Sequence, residues 1–307
     1  MKLLSKKNKD RLFIIAMLAI PIAHFLVFWL YLNGASIGLA FQDQYTEEFT
    51  MENFERFFNS WERDFKLNGP LKYAIKNTII EACIVNFVNM PLVIFCSFAL
   101  FKKFYGHTFF RIVFYLPGIL GTMIMTTMQI YVLGSGGPIV QFGNLIGIEW
   151  DVNILQSGLL GNNVSARPTY FITRLGVAGG TILLITGALN RVPKDLFDSA
   201  KIDGIGFFRE FYYIALPLIW STVGLMWIMS FAGCWSSYQG VMLLTGGAHN
   251  TTNFGYYLVS HTLSAVTGAG ENYNYPAAIG VIMTVIIAPV TLLLRWIASK
   301  AVSQVEF

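Results

Sequence analysis

The chain of 307 residues is strongly apolar, because 55% of its residues are hydrophobic and only 12% are charged. Soluble globular proteins carry about 25% charged residues, so 21 Lys and Arg with 17 Asp and Glu are too few to cover a soluble surface of this size. A net charge of +4 argues against nucleic-acid binding. The three cysteines, Cys83, Cys96 and Cys234, lie in apolar stretches, which excludes a disulfide framework in practice, and the histidines are too far apart for a zinc motif. The composition indicates a membrane protein.

Six stretches are apolar and long enough to cross a bilayer as helices, which requires roughly 20 residues each. They are residues 12–32, 73–101, 109–133, 170–189, 214–244 and 276–298. The first follows a basic segment, but it is long for a signal peptide and no convincing cleavage site follows it, so we expect a retained anchor. With no internal repeat and no low-complexity linker, the sequence predicts a single all-α membrane domain.

The distribution of basic residues predicts the orientation of these spans. With the N-terminus inside, 14 of the 21 Lys and Arg lie on the cytoplasmic side. Both termini, 1–11 and 299–307, are therefore predicted to be cytoplasmic. The loops 33–72, 134–169 and 245–275 are predicted outside, and the connection 190–213 inside.

The connection 190–213 has the signals of a short helix and a sharp turn. Pro193 fits a first helical turn, Asp195 and Asp198 favour the positive end of that helix, and Gly204 can take the left-handed conformation that ends it. A second helix would then enter the membrane. The short helix would carry an apolar stripe facing the cytosol, formed by Leu196, Phe197, Ala200 and Ile202. Such a stripe is a candidate docking surface, although any loop between spans needs a turn and some charges.

The segment Asp198-Ser-Ala-x-x-Asp-Gly204, followed by Ile214-x-Leu-Pro217, resembles the EAA loop of binding-protein-dependent ABC importer permeases. The family pattern is Glu-Ala-Ala-x-x-Asp-Gly with a downstream Ile-x-Leu-Pro. Asp198 stands for Glu and Ser199 for the first Ala, so charge and small size are kept. The resemblance implies a coupling helix that binds in a cleft of an ATPase subunit. It assigns that coupling to Asp198, Ser199, Ala200, Asp203, Gly204, Ile214, Leu216 and Pro217.

Further landmarks, in the same order along the chain, resemble the carbohydrate-uptake, maltose-type branch of these permeases. They are Asn77-Thr78, Gly106 to Phe110 with Arg111, Phe114-Tyr-Leu-Pro117, Leu244-Thr-Gly-Gly247 and Thr251-Thr252. Each is weak alone, but their order around the loop is specific. The Thr-Gly-Gly segment and the ending Val305-Glu306-Phe307 resemble the first of two permease partners.

This resemblance implies a type I ABC importer permease fold of six transmembrane helices in a bacterial cytoplasmic membrane. It also implies four kinds of partner besides lipid: a second homologous permease that forms a heterodimer, a pair of ABC ATPase subunits, an extracytoplasmic solute-binding protein and a sugar. The sequence has no Gly-Lys pair and hence no P-loop, and no nucleophile elbow or His-Glu-x-x-His. We therefore expect no catalysis and no cofactor in this chain, with ATP and Mg²⁺ bound by the partner ATPases.

Polar residues within the spans are candidates for the solute path, because a charge at mid-bilayer costs about 3 kcal/mol and usually faces the bundle interior. The candidates are Glu81, Arg174, Gly176, Ser230, Cys234, Trp235, Ser237 and Tyr238. The resemblance places Ser230, Cys234 and Ser237 on the solute face, and Arg174-Leu-Gly176 resembles a Trp-Leu-Gly segment that borders the solute cavity. Hydrogen bonding between helices explains the same residues, and the Gly176-x-x-x-Gly180 spacing is typical of close helix packing.

The expected function is that of a permease subunit of an ATP-driven importer for a sugar or oligosaccharide. If Arg174 faces the solute cavity, an acidic sugar is favoured, because a guanidinium binds a carboxylate at two points. One alternative is an ion-coupled secondary transporter in which Glu81 binds the coupling ion. Another is a structural or channel subunit. Neither alternative gives a reason for the loop around Asp198.

Overall fold

The computed structural model describes residues 6–176, 179–267 and 272–301, with side chains described from Phe13 to Lys300 within these ranges. Every regular element in the described part of the chain is a helix, apart from an isolated antiparallel bridge between Gln42 and Phe49. The ending Val305-Glu306-Phe307 lies outside the described residues.

Several helices continue directly into one another through π-helical segments. The chain up to Leu145 contains α1 (Lys6–His24), a π segment (Phe25–Tyr31), α2 (Leu32–Ala40), α3 (Glu52–Leu67), α4 (Pro70–Ile84), a π segment (Val85–Asn89), α5 (Met90–Phe101), α6 (His107–Ile119), α7 (Thr122–Leu133) and α8 (Pro138–Leu145). The rest contains α9 (Val152–Ser157), α10 (Ala166–Thr173), α11 (Gly179–Leu189), α12 (Lys194–Ile202), α13 (Phe207–Glu210), a π segment (Phe211–Ala215), α14 (Leu216–Leu218), α15 (Trp220–Ser236), α16 (Gln239–Leu244), α17 (Phe254–Val266) and α18 (Asn274–Ala301).

Four helical stretches of the described chain are long and apolar enough to cross a membrane. They are Phe13–Ala40, Pro70–Phe101, Thr122–Leu145 and Asn274–Lys300. A fifth is counted if Phe207–Leu218 and Trp220–Ser236, which are bent by 77° at the break between them, form one span. The interval 109–133 holds two helices, α6 and α7, and α11 is apolar but has only 11 residues. Length and composition alone therefore give four or five spans in the described residues, not six.

The chain divides into two compact units, one of residues 1–60 and 260–285 and the other of residues 61–259 and 286–307. Within the first unit, the ring of Phe41 packs against Phe54 at 4.8 Å between centroids. The side-chain amides of Asn53 and Asn274 both donate to the carbonyl oxygen of Gln42, at 2.9 and 2.8 Å. The most apolar window of Phe13–Ala40 has no residue buried within this chain, so lipid or another protein must cover it.

The second unit contains the main hydrophobic core, formed where α5, α11, the π segment Phe211–Ala215 and α15 meet, with Phe197 of α12. Phe98, Ile182 and Leu189 are fully buried there. Ile185 and Ala215 complete the same layer. Because α5 contributes aromatic residues to this core, its carboxyl end is fixed against the segment that carries α12.

The backbones of α6 and α11 approach closely at a glycine. A Cβ atom at Gly179 would lie 2.6 Å from the carbonyl oxygen of Phe114. This distance is too short, and the backbone of α6 cannot easily move to relieve it. A Cβ at Gly176 or Gly180 would meet no atom within 4 Å. The close contact is centred on Gly179 and includes the backbone of Gly180, whose amide nitrogen would lie 3.2 Å from a Cβ at Gly118, whereas Gly176 shows no such contact.

Candidate coupling helix and buried polar network

Helix α12 is the short helix that the sequence predicts between the fourth and fifth apolar stretches. It begins after Pro193, whose φ of −55° suits a helix start, and Asp195 lies in its first turn. It ends in a turn where Gly204 has a φ of +70°, the left-handed conformation expected of it. The amide of Ile205 donates to the carbonyl oxygen of Ala200 at 3.0 Å, which closes the helix end. The chain then turns into α13.

The apolar stripe predicted on α12 is split between two faces. Phe197 and Ala200 are only 4% and 3% exposed, so they pack inside this chain and cannot dock another subunit directly. Ile202 is 87% exposed, and Leu196 lies on the exposed side as well. The prediction of one cytosol-facing stripe was wrong for Phe197 and Ala200, because both are buried within this chain, Phe197 against the ring of Phe101 on α5.

The exposed face of α12 carries both charge and apolar surface. Asp198, Ser199 and Asp203 are exposed there beside Ile202. Lys201 donates to the carboxylate of Asp198 at 2.9 Å, and this hydrogen bond lowers the pKa of Asp198 below its usual value. Asp198 is therefore ionised at neutral pH. An exposed pair of this kind contributes little to stability, so its charges are available to a partner.

The remaining residues of the predicted coupling set lie after the turn. Ile214 belongs to a π-helical segment and Leu216 to α14, and both pack, partly buried, against the core. Pro217 lies in the same short helix, just before the bend. These residues set the path of the chain from α12 into α15 and do not form part of the exposed face of α12.

A second cluster of polar residues surrounds a buried carboxylate on α4. Glu81 is 3% exposed, and Tyr170 donates its hydroxyl to Glu81 Oε2 at 2.8 Å. Arg174 donates from Nη2 to that tyrosine oxygen at 2.9 Å, and its Nε lies 3.3 Å from Glu81 Oε1 as an ion pair without hydrogen-bond geometry. The side-chain amide of Asn253 lies 3.3 Å from Glu81 Oε2 and donates to the carbonyl oxygen of Ser237 at 2.6 Å. The buried charge of Glu81 is thus compensated by Arg174.

The same face of α4 holds the backbone of residues 250–254. Asn77 donates from its amide to the carbonyl oxygens of Asn250 and Thr252, both at 2.8 Å. The amide of Phe254 donates to the Thr78 hydroxyl at 2.8 Å. The landmarks Asn77-Thr78 and Thr251-Thr252 are therefore neighbours in space. Sequence reasoning named both but missed this pairing, and it missed the roles of Tyr170 and Asn253; the polar spacing of Asn77 and Glu81 along one helix face was the available signal.

The solute-path candidates on α15 and just beyond it do not form one surface. Cys234 is buried, while Ser230, Trp235, Ser237 and Tyr238 are half-buried. A cavity of about 250 Å³ lies between α4, α15 and α18, and Trp235 alone among the candidates lines it. The lining residues are Ile79, Ala82, Cys83, Asn86, Phe87, Trp227, Phe231, Trp235 and Leu294. The cavity therefore lies on the aromatic face of α15, beside the face that carries Ser230, Cys234 and Ser237.

No family model matches the chain. It is 27% identical over 230 residues to the multiple sugar-binding transport system permease protein MsmF of Streptococcus mutans, covering 74% of this chain and 75% of that protein. It is 25% identical over 296 residues to the diacetylchitobiose uptake system permease protein NgcF of Streptomyces coelicolor, covering 92% and 81%. The chain is similar to permease subunits of sugar uptake systems. The predicted resemblance to carbohydrate ABC permeases is thereby confirmed.

Solved structures give the fold. A chain of a bacterial ABC transporter involved in the import of the acidic polysaccharide alginate superposes with a TM-score of 0.78 at 19% identity, covering 96% of this chain and 98% of that one. A chain of a bacterial alginate ABC transporter in complex with a periplasmic protein bound to an alginate pentasaccharide gives a TM-score of 0.77 at 18% identity, covering 97% and 98%. The all-α importer permease fold predicted from the sequence is confirmed at this level.

Proposed function

We propose that this chain is the transmembrane permease subunit of an ATP-driven importer that translocates a sugar or oligosaccharide delivered by an extracytoplasmic binding protein. The observation that carries this proposal is α12, a short helix closed by a left-handed Gly204, which presents a charged and apolar face on a chain similar to sugar permeases. The chain is a non-catalytic, multi-pass subunit in a bacterial cytoplasmic membrane.

The proposed assembly contains a second, homologous permease, a pair of ABC ATPase subunits that bind ATP and Mg²⁺, and the binding protein. Within it the chain has six spans and both termini in the cytoplasm. The four long apolar helices supply four of these spans, and the short α11 and the bent pair ending in α15 supply the other two. This topology is supported by the excess of basic residues on the cytoplasmic side and by the fold of the solved importer chains.

The proposed coupling residues divide by location. Asp198, Ser199 and Asp203 would contact the ATPase subunit, because they lie on the exposed face of α12. Ala200 would hold α12 against this chain, and Gly204 would set the angle at which the helix is presented. Ile214, Leu216 and Pro217 would connect that helix to α15. Closure of the ATPase pair would move the coupling helices, and the bundle would switch between inward-facing and outward-facing states.

The proposed solute path uses the half-buried groups near the second polar cluster. Ser230, Ser237 and Tyr238 would supply hydrogen-bonding groups to a sugar, and the ring of Trp235 would line the adjoining cavity on the aromatic face of α15. Cys234, Gly176, Arg174 and Glu81 complete the candidates. An acidic sugar is the second candidate solute, favoured by the guanidinium of Arg174; its carboxylate would have to replace Glu81 as the partner of Arg174.

Reconstitution of the chain with its ATPase subunits and binding protein tests this proposal. We expect ATP hydrolysis to be stimulated by a neutral or acidic oligosaccharide together with the binding protein, and the chain to co-purify with an ATPase subunit. Uptake driven by an ion gradient without ATP would instead support the secondary-transporter alternative. Failure of the chain to bind any ATPase subunit would overturn the proposal.

A further inference from the structure

The helix that follows α12 directly along the chain is sharply bent. Phe207–Leu218 and Trp220–Ser236 meet at 77°, so a displacement applied to the first piece changes direction at the break. In contrast, Pro70–Phe101 is one apolar helix of 32 residues, about 48 Å long at a rise of 1.5 Å per residue. Although remote from α12 in the sequence, this second helix is continuous, through the π segment Val85–Asn89, where the first is broken.

The carboxyl end of Pro70–Phe101 contacts both α12 and α13 through aromatic rings. The ring of Phe101 lies 5.3 Å from that of Phe197 on α12. Phe98 lies 5.0 Å from Phe207 and 5.3 Å from Phe211, the residues that begin and follow α13. Phe197 and Phe98 are both buried, so the contact surface excludes water. Ring contacts at these distances are favourable and directional, and they fix the position of α12 relative to the long helix.

Lys102 joins the three segments at one point. It follows α5 directly, and the carboxyl end of that helix stabilises its positive charge. It also forms an ion pair with Glu210 on α13. Its Nζ also lies 4.7 Å from the ring centroid of Phe197 on α12. The side chains of Lys102 and Glu210 are only 18% and 6% exposed. Removal of one partner would leave a buried charge unpaired, which proteins tolerate poorly.

The amino-terminal half of Pro70–Phe101 carries the polar network around Glu81 that is described above. Asn77 and Thr78 bind the backbone of residues 250–254, and Glu81 binds Tyr170 and Asn253. The helix Pro70–Phe101 therefore contacts α12 near the carboxyl end of Pro70–Phe101 and contacts the solute-path candidates nearer the amino end of Pro70–Phe101. A small shift of α12 would displace both sets of contacts together if the joint at Lys102 is rigid.

We propose that Pro70–Phe101 transmits the movement of α12 to the polar network around Glu81, and that Lys102 is the positioning residue that locks α12 and α13 onto it. The identity of the motor that moves α12 rests on the proposed function. The locking of α12 by Lys102 does not, because it is a property of this chain alone. The two parts are therefore tested separately.

The locking is tested on the purified full chain in detergent. Cys83, Cys96 and Cys234 are first replaced by serine, and spin labels are attached at Ser199→Cys on α12 and Tyr105→Cys beyond α5, both of which are exposed. We expect a narrow distance distribution that broadens in Lys102→Met and in Glu210→Gln. The neighbouring exposed lysine supplies the matched control, and Lys103→Met is expected to leave the distribution narrow. A distribution that Lys102→Met and Glu210→Gln leave unchanged would overturn the locking role.

The transmission is tested in the assembled importer by measuring sugar taken up per ATP hydrolysed. We expect Lys102→Met to lower this ratio about tenfold, a change of about 1.4 kcal/mol, while basal ATP hydrolysis is kept, because α12 would no longer be held on Pro70–Phe101. The charge exchange Lys102→Glu with Glu210→Lys should restore part of the ratio, and Lys103→Met should not change it. An unchanged ratio in Lys102→Met would overturn the transmission role, and so would an equal loss of uptake and hydrolysis that the exchange does not restore. A wild-type complex without ATP-dependent uptake would instead contradict the proposed function and leave the distance result standing.

Discussion

At the scale of single residues, the most consequential feature is the pairing of Glu81 with Arg174 inside an apolar protein. A lone charge in this position would be expensive to bury, but here a carboxylate, a guanidinium, a tyrosine hydroxyl and an amide satisfy one another. The pair also bears on the solute, because Arg174 already has a counter-ion within the chain. A neutral sugar would leave that pair intact, whereas an acidic one would compete with Glu81.

Replacement of Glu81 tests the energetic role of this network. We expect Glu81→Gln to destabilise the chain by about 3 kcal/mol, because Arg174 would lose its buried counter-ion. Glu62→Gln is the matched control, since Glu62 pairs with Lys66 on an exposed face and such a pair is worth at most about 1 kcal/mol. The midpoint of thermal unfolding in detergent measures the loss of stability in each variant. Equal midpoints for Glu81→Gln and Glu62→Gln would contradict the role assigned to the network.

At the scale of elements, α12 and its turn were predictable, because their signals are local. Pro193, Asp195 and Gly204 act on their own neighbours, and the left-handed φ of Gly204 follows from the sequence alone. The burial of Phe197 was not predictable, since it depends on Phe101 on another helix. The pairing of Asn77 with Asn250 spans 173 residues, and the spacing of polar residues on α4 does not reveal this distant partner. Motif order identified the elements, but only the fold showed which of them touch.

The turn after α12 gives a prediction for coupling. Gly204→Val should strain the left-handed turn by about 1–2 kcal/mol and tilt α12 away from its partner. We expect binding-protein-stimulated ATP hydrolysis to be lost while membrane insertion is kept. Gly206→Val is the control, because Gly206 has an extended conformation that other residues adopt and no atom lies near its Cβ position. Normal stimulation in the Gly204→Val complex would refute this role of the turn.

The contact between α6 and α11 gives a second prediction at this scale. Gly179→Val should force the two helices apart, since even a Cβ there meets the backbone of α6. Gly180→Val should be tolerated, because the space beyond Gly180 is open. We expect the yield of folded, monodisperse chain to fall for the first variant only. A similar fall for both would show that the register of the contact is different.

For the molecule as a whole, composition predicted a membrane protein and the motifs predicted similarity to carbohydrate permeases. Neither determined the number of membrane spans. The reason is physical, because α11 is short, the fifth apolar stretch is bent, and α6 and α7 divide one apolar interval. A count of spans from hydropathy and length does not include the packing that stabilises short or broken helices in a membrane. The exposed apolar helix Phe13–Ala40 likewise needs a bilayer or a partner to cover it. A permease that acts in an assembly accounts for both features.

We propose that the exposed face of α12 binds a separate ATPase subunit on the cytoplasmic side. Site-specific photo-crosslinking in intact cells tests it most directly, with a photoreactive residue at Ile202 on the exposed face and, as a control, at the buried Phe197. We predict that the Ile202 position crosslinks to an ABC ATPase subunit and that the Phe197 position crosslinks only within this chain. An Ile202 position that reaches no ATPase, or that reacts with a membrane-impermeant reagent added outside the cell, would contradict this role of α12.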